Sequence, residues 1–318
     1  MNRILEHLET KYSNQTIGYA MIFMAGVLWG TIGLFVKMLS SVGANSSLIA
    51  FMRLFMGFWI LLPIMIYMDG LKLFKIDKAG LMQCIILGIL SQALFNHFYN
   101  MCIVNVGVAT ASILLYTSPL FVCVMSTVFF KELIGKQKGF ALVLNLIGCF
   151  LMVTGGKLSN LKISFLGVIF GLAAAFLYSL VTIIGKITSG KIHPFTVVFY
   201  SFLFGWLTLG VMVRPWELMG ANLDFKFWLY SFGFGLIPTV GSYLFYMGGL
   251  NKNLELSKVP VIASVETVVA TLIGVLIFKE KLGIINILGM IFLLVSIAIM
   301  NLQFNKVYTK KKQDTELK

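Results

Sequence analysis

The sequence has little charge and few of the residues that carry catalysis. Only 12% of its 318 residues are Asp, Glu, Lys or Arg, and three are histidine. It contains neither an H-E-x-x-H pattern nor a G-x-x-x-x-G-K-[S/T] pattern, the signatures of zinc proteases and of phosphate-binding loops. A membrane-embedded enzyme would need a catalytic cluster that these apolar runs do not offer. The absences therefore argue against an enzyme and against ATP-driven transport by this chain alone.

Cysteine is also scarce, and it is not arranged for pairing or metal binding. Four cysteines lie within or beside apolar runs, and none forms a C-x-x-C pair: Cys84, Cys102, Cys123 and Cys149. Such residues are expected to be small buried apolar side chains. We therefore predict no disulfide, no metal site and no other cofactor.

Long polar stretches are missing as well. Hydrophobic residues make up 59% of the chain and the mean hydropathy is +0.94, and each apolar run is long enough to cross a hydrocarbon core of about 30 Å. No stretch remains for a sizeable soluble domain. The formal charge of +13 would suit a nucleic-acid partner, but the basic residues lie between apolar runs and in the tail. We therefore expect the lipid bilayer as partner, and no nucleic acid.

The runs predict an all-α integral membrane protein with ten spans. The predicted helices cover residues 17–39, 46–68, 79–101, 106–130, 138–155, 163–186, 194–213, 226–250, 256–278 and 283–302. The first run is too long for a signal-peptide core and is predicted to be retained. Lys and Arg are in excess in the connections on the side of the N-terminus, which predicts a plasma-membrane protein with both termini in the cytoplasm.

The chain repeats itself. Phe130-Lys131-Glu132 returns as Phe278-Lys279-Glu280, and one drifting offset aligns further residues of the two halves. The aligned pairs are Gly18 with Gly167, Trp29 with Tyr178, Lys37 with Lys186, Gly57 with Gly205, and Gly88 with Gly235. Five spans in each half would place the second half upside down, as in secondary transporters with inverted repeats.

These halves divide the chain into four predicted parts. They are a cytoplasmic segment 1–16, a first repeat 17–155, a second repeat 163–302 and a basic cytoplasmic tail 303–318.

Short patterns within the repeats resemble the drug/metabolite transporter superfamily, specifically its EamA-type members with ten helices. Leu28-Trp29-Gly30 and the single Arg53 are similar to features of the first repeat, and Thr117-Ser118-Pro119 to its fourth helix. Val265-Glu266-Thr267 with Lys279-Glu280 is similar to the ninth, although Thr267 stands where proline is usual. The resemblance covers about residues 17–302 and implies an exporter or exchanger of amino acids or other small metabolites.

Two ionisable residues are the first candidates for the site. Glu266 falls near the middle of the ninth span, where an acid must face water or a partner. We interpret it as a substrate or proton-coupling residue, the alternative being a structural carboxyl bonded between helices. Arg53 lies about 10 Å from the end of its helix at 1.5 Å per residue. It either snorkels outward or pairs with backbone carbonyls, or else it binds a substrate carboxylate. Pairing with Glu266 stays open.

Polar and aromatic residues complete the predicted cavity. Gln92, Asn96 and Tyr99 share a face of the third helix, with His97 one step away, and Ser242 and Tyr246 occupy the eighth. Tyr116 precedes Pro119 in the fourth helix, while Trp29 and Tyr178 lie at matching mid-span positions. Hydrogen bonding or packing between helices is the alternative to each of these roles.

A secondary transporter that works by alternating access fits these observations best. One acid, one base and many aromatic residues favour a zwitterionic solute such as an amino acid. Export is the direction that the family resemblance implies, and the residues themselves leave the direction open. The alternatives are a drug or nucleobase-like metabolite as solute, or a channel or membrane-anchoring partner protein. Proton coupling, facilitated diffusion and exchange are equally compatible with the sequence.

Overall fold

The computed structural model describes residues 14–157, 161, 164–218 and 224–301. The predicted tail 303–318, residues 1–13 of the predicted N-terminal segment, and part of the linker between the repeats lie outside the described residues. All regular elements in the described ranges are helical, and eight stretches are long and apolar enough to cross a membrane. Ser118–Phe130 is a shorter apolar helix.

Grouped into membrane crossings, the helical segments of the described residues form ten spans, which we number α1 to α10. The five of the first half are α1 (Asn14–Trp29 and Ile32–Ser41), α2 (Ser46–Asp69), α3 (Lys78–Ile86, Leu87–Leu94 and the start of Phe95–Leu115), α4 (the rest of Phe95–Leu115 and Ser118–Phe130) and α5 (Lys136–Thr154). The helix Phe95–Leu115 is divided at Gly107, whose φ of 79° is not helical, so α3 ends and α4 begins there.

The second half has the same five spans. They are α6 (Phe165–Thr188), α7 (Pro194–Val213), α8 (Phe225–Gly235, Leu236–Gly241 and Ser242–Leu250), α9 (Val259–Ala263 and Val265–Leu276) and α10 (Ile284–Asn301). The prediction of an all-α membrane protein built from two five-helix repeats is confirmed. Only the bounds differ, and α9 begins three residues later than predicted.

Three spans are interrupted near mid-membrane, each beside a hydroxyl residue. The Oγ atoms of Thr31, Thr117 and Ser264 donate to the carbonyl three residues earlier, at 2.6–2.7 Å. These bonds offer the backbone an alternative to continuing the helix. The break in α9 is present although residue 267 is threonine and not proline.

Corresponding spans of the two repeats share a second irregularity. Leu87–Leu94 in α3 and Leu236–Gly241 in α8 are π-helical. Gly88 is the second residue of the first segment, and its repeat equivalent Gly235 directly precedes the second. Such insertions are frequent at functional sites. Their recurrence at matching places shows that the duplication extends to backbone detail.

Glycine allows the spans to approach closely. A β-carbon at Gly148 of α5 would lie 2.8 Å from the nitrogen of Leu293 in α10, and Gly289 has equally little room. At Gly18 of α1 and Gly249 of α8 the backbones also touch. Small residues at helix contacts are a common means of packing in lipid, where hydrophobic burial contributes little.

Replacing Gly148 by alanine is expected to destabilise the contact of α5 with α10. The added methyl would meet backbone atoms that cannot move aside, and overpacking of this kind costs about 1–3 kcal/mol. Thermal unfolding of the purified protein in detergent would show a lower Tm. The matched control is Gly139→Ala in the same helix, where a β-carbon meets nothing within 4 Å. An unchanged Tm for Gly148→Ala would contradict the packing described.

Candidate functional site

A cavity of about 440 Å³ lies between the two repeats and is the main candidate site. Ser46 at the start of α2, Val36 near the end of α1 and Val108 at the start of α4 line its mouth. We call the membrane surface to which these residues belong the open face, and the opposite surface the closed face. The volume falls within the range of small-molecule sites.

The floor of the cavity carries the predicted acid. Glu266 lies in the first turn of the second segment of α9, just after the break at Ser264. A β-carbon at Gly30 would come within 2.8 Å of the carbonyl oxygen of Glu266, so α1 and α9 touch at this level. Trp29, Tyr116 and Tyr178 lie beside the carboxylate along the same floor.

Beneath this floor is a second cavity of about 30 Å³, which is enough for water. Polar side chains from several helices surround it: Ser118, Asn145, Ser179, Thr182, Tyr246 and Ser264. Glu266 borders both cavities. It therefore stands at the constriction between the open cavity and a polar chamber toward the closed face.

Aromatic rings form the wall around the constriction. The centroid of Trp29 lies 5.0 Å from that of Tyr246, 5.5 Å from that of Tyr243 and 6.4 Å from that of Tyr178. Phe95 extends the group, 5.3 Å from Tyr178. Such rings offer a π face to a flat solute or to a cation.

The predicted base lines the same cavity. Arg53 projects from α2, and its guanidinium carbon lies 5.8 Å from the ring of Phe234 and 6.0 Å from that of Tyr243. No ion pair joins it to Glu266 in the described part of the chain, and its buried Nε has no hydrogen-bond partner there. A basic and an acidic side chain thus line one cavity without a direct ion pair between them.

The stripe predicted on α3 divides between the cavity and the helix contacts. Asn96 and Tyr99 line the open cavity; Asn96 donates to the carbonyl of Gln92, and the Tyr99 hydroxyl lies 3.3 Å from Ser112 Oγ. Gln92 itself is 2% exposed and accepts from the Tyr243 hydroxyl at 3.2 Å. This hydrogen bond joins α3 of the first repeat to α8 of the second, behind the aromatic wall of the cavity.

Three other predicted residues lie elsewhere. Tyr246 borders the small cavity and shares a 2.6 Å hydrogen bond with Thr182. Ser242 is fully buried, donates to the backbone of Pro238 and borders neither cavity. His97 also borders neither, and its ring lies 5.9 Å from that of Phe98.

Sequence reasoning did not single out one polar cluster beneath Glu266. Asn145 of α5 donates to Ser264 Oγ at 2.7 Å and to Ser296 Oγ at 3.2 Å, which ties α5 to α9 and α10. The sequence signal for this cluster is Asn145 itself, an amide in the middle of an apolar span. Membrane helices often use such residues for hydrogen bonds with one another.

Comparison with known proteins identifies the family. The EamA-like transporter family matches this chain twice, over residues 16–154 and 165–302. The chain belongs to the EamA-like transporter family. It is therefore a multi-pass membrane transporter that handles a small-molecule substrate, as the resemblance to the drug/metabolite transporter superfamily predicted. The family and its relatives are transporters, which is consistent with a function other than catalysis.

Relatives of this EamA-like transporter span nearly its whole length. An uncharacterized transporter of Archaeoglobus fulgidus is 30% identical over 286 residues, which are 89% of this chain and 95% of that protein. An uncharacterized transporter of Clostridium kluyveri is 25% identical, over 91% and 94% of the two chains. A crystal structure covering 91% of this chain and 98% of its own superimposes with a TM-score of 0.76 at 15% identity, which shows the shared fold.

Water-borne reagents should reach the site from one face only. We expect Gly33→Cys to react rapidly with a membrane-impermeant thiol reagent from the open face, because Gly33 lines the cavity and has free space for a β-carbon. Ser118→Cys should react slowly, because Ser118 is 5% exposed and borders the small cavity. Labelling rates in sealed vesicles measure the difference. Equal rates at the two positions would contradict the constriction at Glu266.

Proposed function

We propose that this EamA-like transporter exports an amino acid or a similar zwitterionic solute by alternating access between its inverted repeats. One observation carries the proposal, namely that Arg53 and Glu266 line the same cavity with opposite charges and no direct ion pair. A free amino acid carries the complementary pair of charges on one small molecule.

The geometry supports a definite orientation of the solute. The guanidinium of Arg53 can donate two parallel hydrogen bonds to a carboxylate. The carboxylate of Glu266 can accept from an ammonium group, and the neighbouring ring of Trp29 adds a cation–π contact. The solute's side chain would then lie against the aromatic wall, whose surface favours apolar or aromatic groups.

Glu266 is also our candidate for proton coupling. The carboxylate lies among aromatic rings at mid-membrane, where an uncompensated charge costs about 3 kcal/mol or more. The ammonium group of a solute can neutralise the carboxylate, and so can a proton, but a protonated carboxyl group no longer attracts an ammonium group. Competition between them would link movement of the solute in one direction to movement of a proton in the other.

The membrane orientation that we propose follows from the excess of Lys and Arg in the connections on the side of the N-terminus. Both termini would lie in the cytoplasm of a cell whose plasma membrane holds the protein. The open face would then be the outer surface, and the described state would be one that has released its solute.

A second candidate solute is a drug or nucleobase-like metabolite. The aromatic wall favours it, because stacking on Trp29 and Tyr178 needs no charge on the solute. Such a solute would leave Arg53 without a partner, and for this reason we rank it second.

The first test is uptake of a mixed radiolabelled amino-acid pool into proteoliposomes, with and without an imposed pH gradient. We expect uptake above that of protein-free vesicles, and a larger rate when the gradient drives protons the opposite way. A response to the gradient supports proton exchange, whereas equal rates argue for facilitated diffusion. Absence of uptake in both conditions would overturn the proposal of an amino acid and direct the search to the second candidate.

Glu266→Gln should reduce this uptake about ten- to hundredfold and remove its dependence on the pH gradient. A hydrogen bond to a charged group contributes about 1.5–3 kcal/mol, and 1.4 kcal/mol is about a factor of ten in affinity. The matched control is Glu217→Gln, because Glu217 is exposed and contacts Arg214 outside the cavity. Wild-type uptake by Glu266→Gln across a range of pH would rule out both roles of the carboxylate.

A further inference from the structure

A carboxylate at the end of α4 holds the closed face together. Glu132 accepts a hydrogen bond from the backbone nitrogen of Leu256 at 2.6 Å and from that of Ser257 at 3.0 Å. Both donors belong to the connection between α8 and α9, in the other repeat, and both residues are buried. Charge-assisted hydrogen bonds of this kind are about twice as strong as neutral ones.

An ion-pair cluster reinforces this contact. Glu255 lies 2.7 Å from Lys138 and 3.5 Å from Lys258, and its backbone nitrogen donates to the Tyr19 hydroxyl. Burial alone would raise the pKa of Glu255, but the hydrogen bond from Lys138 and the charge of Lys258 lower it below the ordinary value. Glu255 therefore keeps its charge at neutral pH, and the cluster persists.

The second repeat carries the same carboxylate in the same backbone setting. Lys131 and Lys279 both adopt left-handed φ, 55° and 57°, so each chain reverses after its helix. The next backbone nitrogen then donates back to the helix, from Glu132 to Ser126 and from Glu280 to Gly274. Glu280 is thus the repeat equivalent of Glu132, at the open face.

Glu280 is engaged differently. It pairs with Lys37 at 2.6 Å, and both side chains are more than half exposed. The repeat equivalents of Leu256 and Ser257 are Val108 and Ala109. Val108 lines the mouth of the open cavity and is 64% exposed.

The equivalence of the two connections is supported by sequence and by packing. Asn253-Leu254 in one corresponds to Asn105-Val106 in the other. A β-carbon at Gly18 would strike Leu254, and one at the equivalent Gly167 would strike Val106. Each connection therefore packs against the first helix of the opposite repeat.

We propose that Glu132 and Glu280 are alternating latches of the transport cycle. In the described state Glu132 holds the connection between α8 and α9, and the closed face is sealed. In the opposite state Glu132 releases this connection, and Glu280 leaves Lys37 to accept the backbone N–H groups of Val108 and Ala109. The bonds of Glu132 are thus lost while the equivalent bonds of Glu280 form, so the open face is sealed as the closed face opens.

The two latches differ in strength. The repeat equivalents of Lys138 and Glu255 are Asn286 and Gly107, which cannot form an ion pair. The latch at the closed face thus has a neighbouring ion pair that the residues equivalent to Lys138 and Glu255 cannot form at the open face. This asymmetry favours the described state when no solute is bound.

The test follows a reporter cysteine and needs no solute, so its outcome is independent of the proposed substrate. In Gly33→Cys protein, thiol labelling from the open face reports how often the cavity is open. Glu132→Gln should lower the labelling rate several-fold. The NH₂ group of the glutamine side chain cannot accept a hydrogen bond from a backbone N–H group, so the closed face is held less firmly and the open face closes more often. Adding Glu280→Gln should return the rate toward that of the reporter alone, because the opposing latch is then lost as well.

Matched controls separate gating from damage. Wild type, whose four cysteines are buried, gives the background, and Lys226→Cys outside the cavity controls for the reagent. Lys138→Gln weakens the same face more mildly and should lower labelling in the same direction, should Glu132→Gln fail to fold. Unchanged labelling in Glu132→Gln, or a double variant as slow as Glu132→Gln, would overturn the proposal.

Discussion

A carboxylate in the middle of a membrane needs water or a counter-charge, and the architecture around Glu266 meets this requirement. The acid lies where α9 is interrupted, with the open cavity on one side and a small polar chamber on the other. The break in α9 and the close contact of α9 with Gly30 of α1 place Glu266 at the boundary of the two cavities. Arg53 lines the open cavity from the other repeat.

The breaks and the glycine contacts depend on each other. Interrupted helices leave backbone groups without helical partners, which lipid cannot satisfy. In this protein the hydroxyls of Thr31, Thr117 and Ser264 take up carbonyls at the breaks, and irregular backbone borders cavities that can hold water. Close packing at Gly30 and Gly148 then supplies contact area that large side chains would prevent. The result is a set of rigid segments joined at defined points, which suits a protein that exchanges two packed states.

The sequence predicted the repeats and most of the floor of the site, because both depend on local chemistry. Periodic apolar runs, one mid-span acid and matched aromatic positions are visible without knowledge of contacts. The role of Glu132 was not visible, because Phe130-Lys131-Glu132 looks like the end of a helix until its partner connection is known. Gln92 and Ser242 show the converse limit, since a polar stripe has the same spacing whether it faces a cavity or a neighbouring helix. Only the packing of α3 and α8 distinguishes the two cases.

The repeats are alike in backbone and unlike in charge, and this difference makes the two repeats unequal in their interactions. Glu266 corresponds to Ser118 in the first repeat, and Arg53 to Ser201 in the second. A scaffold with equivalent halves can reach two states related by a pseudo-two-fold rotation at similar cost in free energy. A charge present in only one half meets a different environment in each state. The ion pair of Lys138 with Glu255 acts in the same sense at the closed face. The repeated backbone therefore allows two related states, and the few residues that differ between the repeats set the relative stability of those states.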